Sequence, residues 1–415
     1  MTNPRDNPGN LTAPNVSRRA FLGAVGVGGV LSLDDALRLQ ASQEAPTPAA
    51  VIRARPIIYT GSGPGRGDPP PHTLQGEELE RARLTPESWR LEIVADGCTV
   101  ERPCTLENDT AIDLRTIIDL GRTHGVKFLK AMQCRSGPNP QSQGLWEAVP
   151  LREVLRLAGR VDRAMRVYAS GFHNDNPRQI FQSSASFTQV ADNAPGELPV
   201  MVAYRHNGGP IPLLRGGPVR MIVPWAYGFK SIKWLQRIRL TANTTPIDTY
   251  GGEPDAYLKT QVPQIHAPVN PMAGAPVIVR GIAVVGLPGL RRVEYWLRPD
   301  AGTNGVLAED DPAWQTARWL PGDIDPPPDD WTGHLPTGIS SREIWGFDPQ
   351  TGRPRDWPLR YTVATWSVTL RDLQPGTYEL RVRSVDLNGN AQPQPRPQRA
   401  TGAASVPCRI FTVRN

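Results

Sequence analysis

Cysteine spacing sets the first limit on the metal chemistry of this 415-residue chain. The sequence has no C-x-x-C-H motif for covalently attached haem and no C-x-x-C pair for zinc or an iron–sulfur cluster. Cys98 and Cys104 are six positions apart around an expected turn and could form a disulfide in an oxidising compartment. Cys408 is expected to be buried and inert in a strand. If Cys134 is a ligand, it must serve a metal that needs one protein thiolate.

The pattern around Cys134 predicts a loop directly after a strand. Residues 127–133 have the pattern of a strand that ends at Cys134, and residues 145–157 predict a strand and turn followed by an amphipathic helix. A short helix is expected over residues 111–120. Further short strands are expected over residues 89–94, 166–170, 200–205, 219–224 and 234–241. With 39 Gly and 44 Pro breaking up the elements, these patterns predict an irregular α+β domain over residues 46–265.

The C-terminal part, residues 266–415, shows alternating strand patterns. Strands are expected over residues 277–285, 291–297, 366–369, 377–385 and 405–413, with turns such as Asn388-Gly389 between them. This spacing predicts a small β-sandwich. The Pro-, Asp- and Trp-rich insertion 308–356 is longer than an ordinary connection, and it is expected to reach a neighbouring subunit or the preceding domain.

Residues 1–45 have the features of an export signal. Arg18-Arg19 precedes a 13-residue apolar, Gly-rich run over residues 21–33, as in twin-arginine signals, which predicts export to the periplasm. The alternative is an amphipathic N-terminal helix. Thirteen helical residues span about 20 Å, less than the ~30 Å hydrocarbon core, so no stable membrane anchor is expected. The net charge of +6 without a block of five Lys or Arg argues against a nucleic-acid partner.

Three segments in order carry a resemblance to a known family. They are Met132-Gln133-Cys134 with residues 144–151 (GLWEAVPL); residues 202–204 (VAY) with 207–212 (NGGPIP); and residues 217–220 (GPVR) with 223–224 (VP) and 228–235 (GFKSIKWL). Residues 88–413 resemble the sulfite oxidase superfamily of molybdopterin enzymes. The resemblance implies a molybdopterin domain, a following immunoglobulin-like dimerisation domain, a molybdenum–molybdopterin cofactor and a homodimer.

The resemblance assigns cofactor roles to several residues. It implies that Cys134 is the molybdenum ligand, which agrees with the preference of such a centre for one soft thiolate; the alternative is a core cysteine. Arg220, Ser231 and Lys233 can supply donors to the terminal phosphate of the pterin. Arg215 falls where relatives place another polar cofactor contact. For Arg215, as for Lys230, a solvated surface position is an equal alternative.

Weaker assignments concern the polar loop after residue 171 and the surroundings of the metal. His173 and Asp175 lie where relatives contact the pterin, although His173 could equally be a neutral surface histidine. Tyr257 lies about where sulfite-oxidising relatives place an active-site tyrosine, and Tyr250 is its rival. A phenol near an oxo-metal centre can donate a hydrogen bond. Arg135, next to Cys134, is the remaining candidate for a substrate contact.

The sequence departs from the sulfite oxidisers at the arginines that bind their substrate. These enzymes have one such arginine in an Arg-Asn-His stretch, where residues 59–62 here read YTGS, and another a few residues after the ligand cysteine. The resemblance therefore implies an exported oxidoreductase that performs oxygen-atom transfer on a small oxoanion or sulfur compound, with sulfite the first candidate and a cytochrome c-type electron carrier. A sulfoxide reductase of the same superfamily and a cofactor-free scaffold protein are the alternatives.

Overall fold

Helices are few and short in the computed structural model, which describes residues 59–60, 70–133, 140–172, 181–249, 256–299, 301–393 and 405–415. The helices are α1 Gly76–Arg81, α2 Leu114–His124, α3 Leu151–Arg156, α4 Phe187–Ala191, α5 Ala301–Asn304 and α6 Pro312–Gln315. Single 3₁₀ turns occur at Pro70–Thr73, Leu213–Arg215, Gly228–Lys230 and Ser341–Glu343. The architecture therefore rests mainly on strands.

Two sheets form the first part of the structure. One has the order β1-β6-β10-β11, with β5 also paired to β6 and β12 to β10, and the other has the order β4-β2-β13-β8-β9; β3 and β7 pair separately. The strands are β1 Tyr59–Thr60, β2 Arg90–Asp96, β3 Thr99–Val100, β4 Ile112–Asp113, β5 Val126–Gln133, β6 Pro140–Pro150, β7 Val161–Asp162, β8 Arg166–Gly171, β9 Gln182–Ser186, β10 Met201–His206, β11 Gly209–Pro210, β12 Arg220–Ile222 and β13 Leu235–Thr241.

The C-terminal part is a seven-stranded arrangement in the order β14-β15-β18-β17-β16-β19-β20. Its strands are β14 Gln261–His266, β15 Val277–Val284, β16 Leu290–Arg298, β17 Leu320–Ile324, β18 Val363–Leu370, β19 Gly376–Asp386 and β20 Cys408–Val413. β17 pairs with both β16 and β18, so it joins two curved sheets around one apolar core. β14 lies on the N-terminal side of the boundary expected at residue 266, and β17 lies inside the insertion.

The hairpin of β5 and β6 positions the residue that follows β5. Lys130 pairs with Gly144, and Leu129 pairs with Leu145. Because side chains alternate along a strand, Phe128 and Met132 face one apolar core while Leu129 faces another. Both faces of the strand that leads to Cys134 are therefore covered by packed side chains, and its end is held firmly.

The insertion 308–356 packs against the N-terminal domain. Trp345 donates its backbone N–H to the carbonyl of Lys127 at 2.7 Å, and the Lys127 ammonium pairs with Glu343. Trp331 and Phe347 share an apolar cluster with Leu129. Of the two contacts expected for the insertion, the one with the preceding domain is thus observed.

The three cysteines that the structure describes are single thiols. Cys98 and Cys104 are both described and both free, so the possible disulfide is not formed. Cys408 begins β20 as a strand residue, but it is exposed, so the expectation of burial was wrong. Its Sγ contacts Glu379 Oε1 at 3.8 Å, and desolvation of the thiol raises the pKa of Cys408 to about 11, which keeps it protonated and unreactive.

Within the described ranges, no helix has the length and apolar character needed to cross a lipid bilayer.

Candidate active site

Two segments that carry predicted site residues lie outside the described residues. Cys134 and Arg135 fall between β5 and β6, and His173 and Asp175 fall between β8 and β9. The structure thus fixes the strands on either side of these segments. The roles of the four residues, and that of Tyr250 in the range 250–255, stay predictions.

The predicted phosphate-binding residues lie on two segments that run side by side. Backbone hydrogen bonds join Met221 to Ile232 and Trp234 to Gly216, each at 2.9 Å. The Arg220 guanidinium crosses between the segments. It donates from Nε and Nη2 to the Ser231 carbonyl at 3.3 and 3.1 Å, and from Nη1 to the Arg215 carbonyl at 3.0 Å.

Lys233 completes this group from the second segment. Gly216, with φ of 94°, lies against it, and a Cβ atom at Gly216 would come within 2.6 Å of the Lys233 side chain. The Ser231 hydroxyl accepts a hydrogen bond from the Val223 N–H at 3.2 Å and keeps its own proton for donation. The structure therefore brings Arg215, Arg220, Ser231 and Lys233 together, and their role in binding the cofactor stays a prediction.

Two further residues that the sequence analysis did not assign to the site, Trp146 and His206, lie near Arg220. Trp146 has its ring 5.6 Å from the Arg220 guanidinium carbon, and the His206 ring lies 4.2 Å from the ring of Trp146. Burial, then the charges of Arg220 and Arg215, lower the pKa of His206 to about 4, so its imidazole is neutral at pH 7.

Lys130 adds another cation beside this cluster. It is completely buried, and this burial, followed by the charge of Arg220, lowers its pKa to about 7. The indole N–H of Trp146 is buried without a hydrogen-bond partner among the described residues. Neighbouring cations raise the free energy of each other's charged form, and a bound anion would lower it again. This group of cations and N–H donors therefore fits a phosphate group.

Lys230 is buried, so the alternative that placed it on a solvated surface was wrong. Its ammonium donates to Asp248 Oδ1 at 2.8 Å and to the Ser184 carbonyl at 2.9 Å. Burial alone would raise the pKa of Asp248, but Lys230 and Ser184 outweigh it and lower that pKa. The pair anchors the 3₁₀ turn that begins at Gly228, which lies against the Gln133 carbonyl just before Cys134.

Tyr257 lies in a pocket beside the same loop. Its backbone bridges Ala226, and its hydroxyl accepts a hydrogen bond from Gln189 Nε2 at 3.1 Å. The pocket has a volume of about 320 Å³. Its walls combine aromatic, aliphatic and charged side chains, namely Gln189, Asp192, Asn193, Ala194, Glu197, Leu198, Trp225, Tyr257, Leu287, Arg360 and Tyr361.

The part of the chain that contains the residues around Arg220 matches a known protein family. Residues 78–247 match the family model described as "Oxidoreductase molybdopterin binding domain". The chain carries a molybdopterin domain of the sulfite oxidase superfamily. The matched range of this molybdopterin domain contains β5, β6 and the cation cluster around Arg220, and it ends before the C-terminal sheet.

Individual relatives agree with this assignment. The chain is 25% identical to the protein-methionine-sulfoxide reductase catalytic subunit MsrP of Gluconobacter oxydans over 291 residues, 66% of this chain and 83% of the relative. It is 32% identical to mouse mitochondrial sulfite oxidase over 115 residues, 27% of this chain and 20% of that enzyme. It is 33% identical to the NADPH nitrate reductase of Fusarium oxysporum over 105 residues, 25% of this chain and 11% of that enzyme.

A solved structure shows the same fold across nearly the whole chain. The sulfane dehydrogenase SoxCD from Paracoccus pantotrophus superposes with a TM-score of 0.53 at 16% identity, over 90% of this chain and 96% of that chain. This likeness confirms the predicted α+β class, with a sulfite-oxidase-type fold.

The residues of the molybdopterin domain fit the cofactor that the family implies. Arg220, Ser231 and Lys233 form a donor set suited to the pterin phosphate, next to the neutral imidazole of His206. The loop that would hold the metal follows a strand buried on both faces. Lys130 and His206 could not have been found by spacing alone, because they are 90 and 14 positions from Arg220 and meet it only in the folded sheet.

Proposed function

We propose that this protein is an exported molybdenum oxidoreductase that transfers an oxygen atom to or from the sulfur of a small substrate. In this proposal, two electrons per turnover are exchanged singly with a cytochrome c-type carrier outside the molecule, and the C-terminal sandwich forms a homodimer. The observation that carries the proposal is the donor cluster around Arg220 within a molybdopterin-binding domain.

Each side chain has a defined task in this proposal. Cys134 would hold the molybdenum through one thiolate, and the bound cofactor supplies two-electron oxygen-atom transfer chemistry. Arg220, Lys233 and the Ser231 hydroxyl would bind the pterin phosphate. Arg215 and the loop residues His173 and Asp175, which relatives use for polar contacts to the pterin, would bind the rest of the cofactor.

Tyr257 and Arg135 would act on the substrate side. The Tyr257 oxygen accepts the hydrogen bond from Gln189, so its own hydroxyl proton is directed away from the Gln189 amide. Such a phenol can orient an oxygen atom on sulfur and exclude water from one side of it. Arg135, next to the ligand, would add one positive charge toward an oxygen-bearing substrate.

Two reactions of this type are candidates. Oxidation of sulfite consumes one water and yields sulfate, two electrons and two protons, and the three-segment resemblance and the mouse sulfite oxidase similarity favour it. Reduction of a sulfoxide consumes two electrons and two protons and yields a thioether and water. The second reaction is supported by the sulfoxide reductase subunit from Gluconobacter, whose length the chain mostly covers.

Metal and pterin analysis of protein from a molybdenum-competent host tests the proposal. We expect stoichiometric molybdenum and pterin, together with either cytochrome c reduction by sulfite or sulfoxide reduction by a reduced dye. Protein that is folded and pure but contains neither molybdenum nor pterin would instead support the scaffold alternative. A loaded protein that acts on neither class of sulfur compound would contradict the proposed reaction while leaving the cofactor assignment in place.

A further inference from the structure

The pocket beside Tyr257 has the size of a small-molecule site. Its volume of about 320 Å³ is at the lower end of the range of ligand pockets. Trp225, Leu198 and Leu287 supply apolar walls. Because Leu287 and Arg360 come from the C-terminal part, two regions of the chain build this pocket together.

The charges along the pocket disfavour a small anion. Asp192 and Glu197 carry two negative charges, and Arg360 carries the one positive charge among the described lining residues. Sulfite in this pocket would therefore meet more negative than positive charge. A molecule with both an ammonium and a carboxylate would find a partner for each.

Arg360 is oriented for recognition. Its Nη2 donates to Glu197 Oε1 at 2.7 Å, and its guanidinium lies 5.6 Å from the ring centres of Trp345 and Tyr361. Within the described part of the chain this is its one hydrogen bond, so its other N–H groups are available to a ligand. Its side chain is 30% exposed, which leaves it accessible from the pocket.

Gln189 fixes the direction of the Tyr257 hydroxyl. The Gln189 Oε1 accepts from the Ser186 N–H at 2.9 Å in the capping box of α4, so its amide nitrogen must face Tyr257. The Tyr257 oxygen is consequently the acceptor of that bond. The pocket thus combines an oriented phenol with a guanidinium and two carboxylates.

We propose that this pocket binds a zwitterionic organic sulfur compound, a sulfoxide or thioether that carries an α-amino acid group. Arg360 binds the carboxylate, Asp192 and Glu197 attract the ammonium, and the sulfur-bearing end lies toward Tyr257. This inference rests on the proposed function for the reaction, but the binding itself does not depend on turnover. Arg360 is then the residue that determines specificity.

Calorimetric binding without any electron donor tests the pocket. The probes are methionine sulfoxide, its N-acetyl derivative, its methyl ester and dimethyl sulfoxide, each titrated into the cofactor-loaded protein. We expect methionine sulfoxide to bind at least about tenfold more tightly than dimethyl sulfoxide, because it gains two charged contacts. Arg360→Gln should weaken methionine sulfoxide about tenfold and leave its methyl ester unchanged.

Asp192→Asn supplies the complementary result. It should weaken methionine sulfoxide and its methyl ester but leave the N-acetyl derivative unchanged, since that probe has no ammonium. Arg353→Gln, at an exposed arginine seven positions before Arg360, is the matched control and should alter none of the affinities. In steady-state assays Arg360→Gln should raise KM for the amino acid and leave kcat unchanged. Equal affinity of the wild type for all four probes would overturn the inference, whereas binding without any turnover would contradict only the proposed reaction.

Discussion

The Lys130 ammonium lies 3.0 Å from the carbonyl oxygen of Ala226 and donates a hydrogen bond to it. It donates a second hydrogen bond, of 2.7 Å, to the carbonyl of Pro224, so one side chain is hydrogen-bonded to the backbone on both sides of Trp225. Ala226 in turn bridges Tyr257. Lys130 therefore connects the strand that leads to Cys134 with the segment that presents Tyr257 to the pocket.

The buried ammonium predicts a pH dependence of stability. Because the pKa of Lys130 is lowered to about 7, the unfolded chain binds more protons than the folded chain between pH 7 and the ordinary value of 10.5. Relative to Lys130→Met, the wild-type free energy of unfolding should therefore increase as the pH rises through this window. Denaturant unfolding at pH 7 and pH 9 measures it. Lys127→Met, on the same strand, is the control. If the free energies of unfolding of the wild type and Lys130→Met changed with pH in parallel, the prediction would be contradicted.

Arg220→Met should reduce the amount of bound cofactor. The substitution removes the bonds to the Arg215 and Ser231 carbonyls and, if Arg220 binds the pterin phosphate as we propose, one charge-assisted contact to it. We expect molybdenum and pterin content to fall together, and the pKa of His206 to rise toward its ordinary value because Arg220 no longer lowers it. Metal analysis and NMR titration measure the two effects. Arg237→Met, at an arginine whose half-exposed side chain pairs with Glu92, should change neither.

Cys134→Ser should separate cofactor retention from activity. A serine oxygen is harder and much less acidic than a thiolate, so it replaces the sulfur ligand poorly at nearly the same volume. The fold and the phosphate contacts should survive, and turnover should vanish while pterin content is retained. Optical spectroscopy follows the sulfur-to-metal absorption band. If the variant kept both that band and its oxygen-transfer rate, Cys134 would not be the ligand.

Replacement of Arg18 and Arg19 by lysine should block export. If the pair is the targeting signal, the double variant should accumulate in the cytoplasm together with its cofactor. Fractionation and immunoblotting give the distribution. Wild-type amounts in the periplasm would rule out the twin-arginine interpretation.

The C-terminal sandwich should form a two-fold homodimer. The resembling enzymes use this domain for dimerisation, and a closed two-fold interface is the commonest form of association in soluble proteins. Light scattering of the full chain at micromolar concentration should give twice the mass of 45.5 kDa. A single-chain mass under these conditions would count against this expectation.

Local sequence patterns predicted the structure best where the contacting residues are close together in the sequence. The strand expected over residues 127–133 is β5, and Arg215, Arg220, Ser231 and Lys233 meet because their two segments are close in sequence. The expected helix over residues 111–120 begins later, at Leu114. Asp113 caps it by accepting from the Thr116 N–H at 2.8 Å, while Ile112 and Asp113 pair with β2.

Local sequence patterns could not predict contacts between segments that are far apart in the sequence. Asp248 pairs with Lys230, and His206 meets Trp146 across the β6–β10 pairing, and neither pair has a characteristic spacing. β17 was missed because its sequence, LPGDI, is polar and interrupted by Pro and Gly. It becomes a strand because β16 and β18 on its two sides satisfy its backbone groups.

The packing of the insertion against β5 sets an order of events during synthesis. The outer edge of β5 is completed by Trp345 at Lys127 and by the Tyr361 carbonyl at Ala131, and 216 positions separate Lys127 from Glu343. A ribosome makes the strand that leads to Cys134 long before it makes the segment that covers that strand. Until then the strand keeps an unpaired edge, which is open to association with other chains. If the cofactor binds beside this strand as we propose, a chaperone that shields the edge until the insertion has been made would raise the yield of loaded protein.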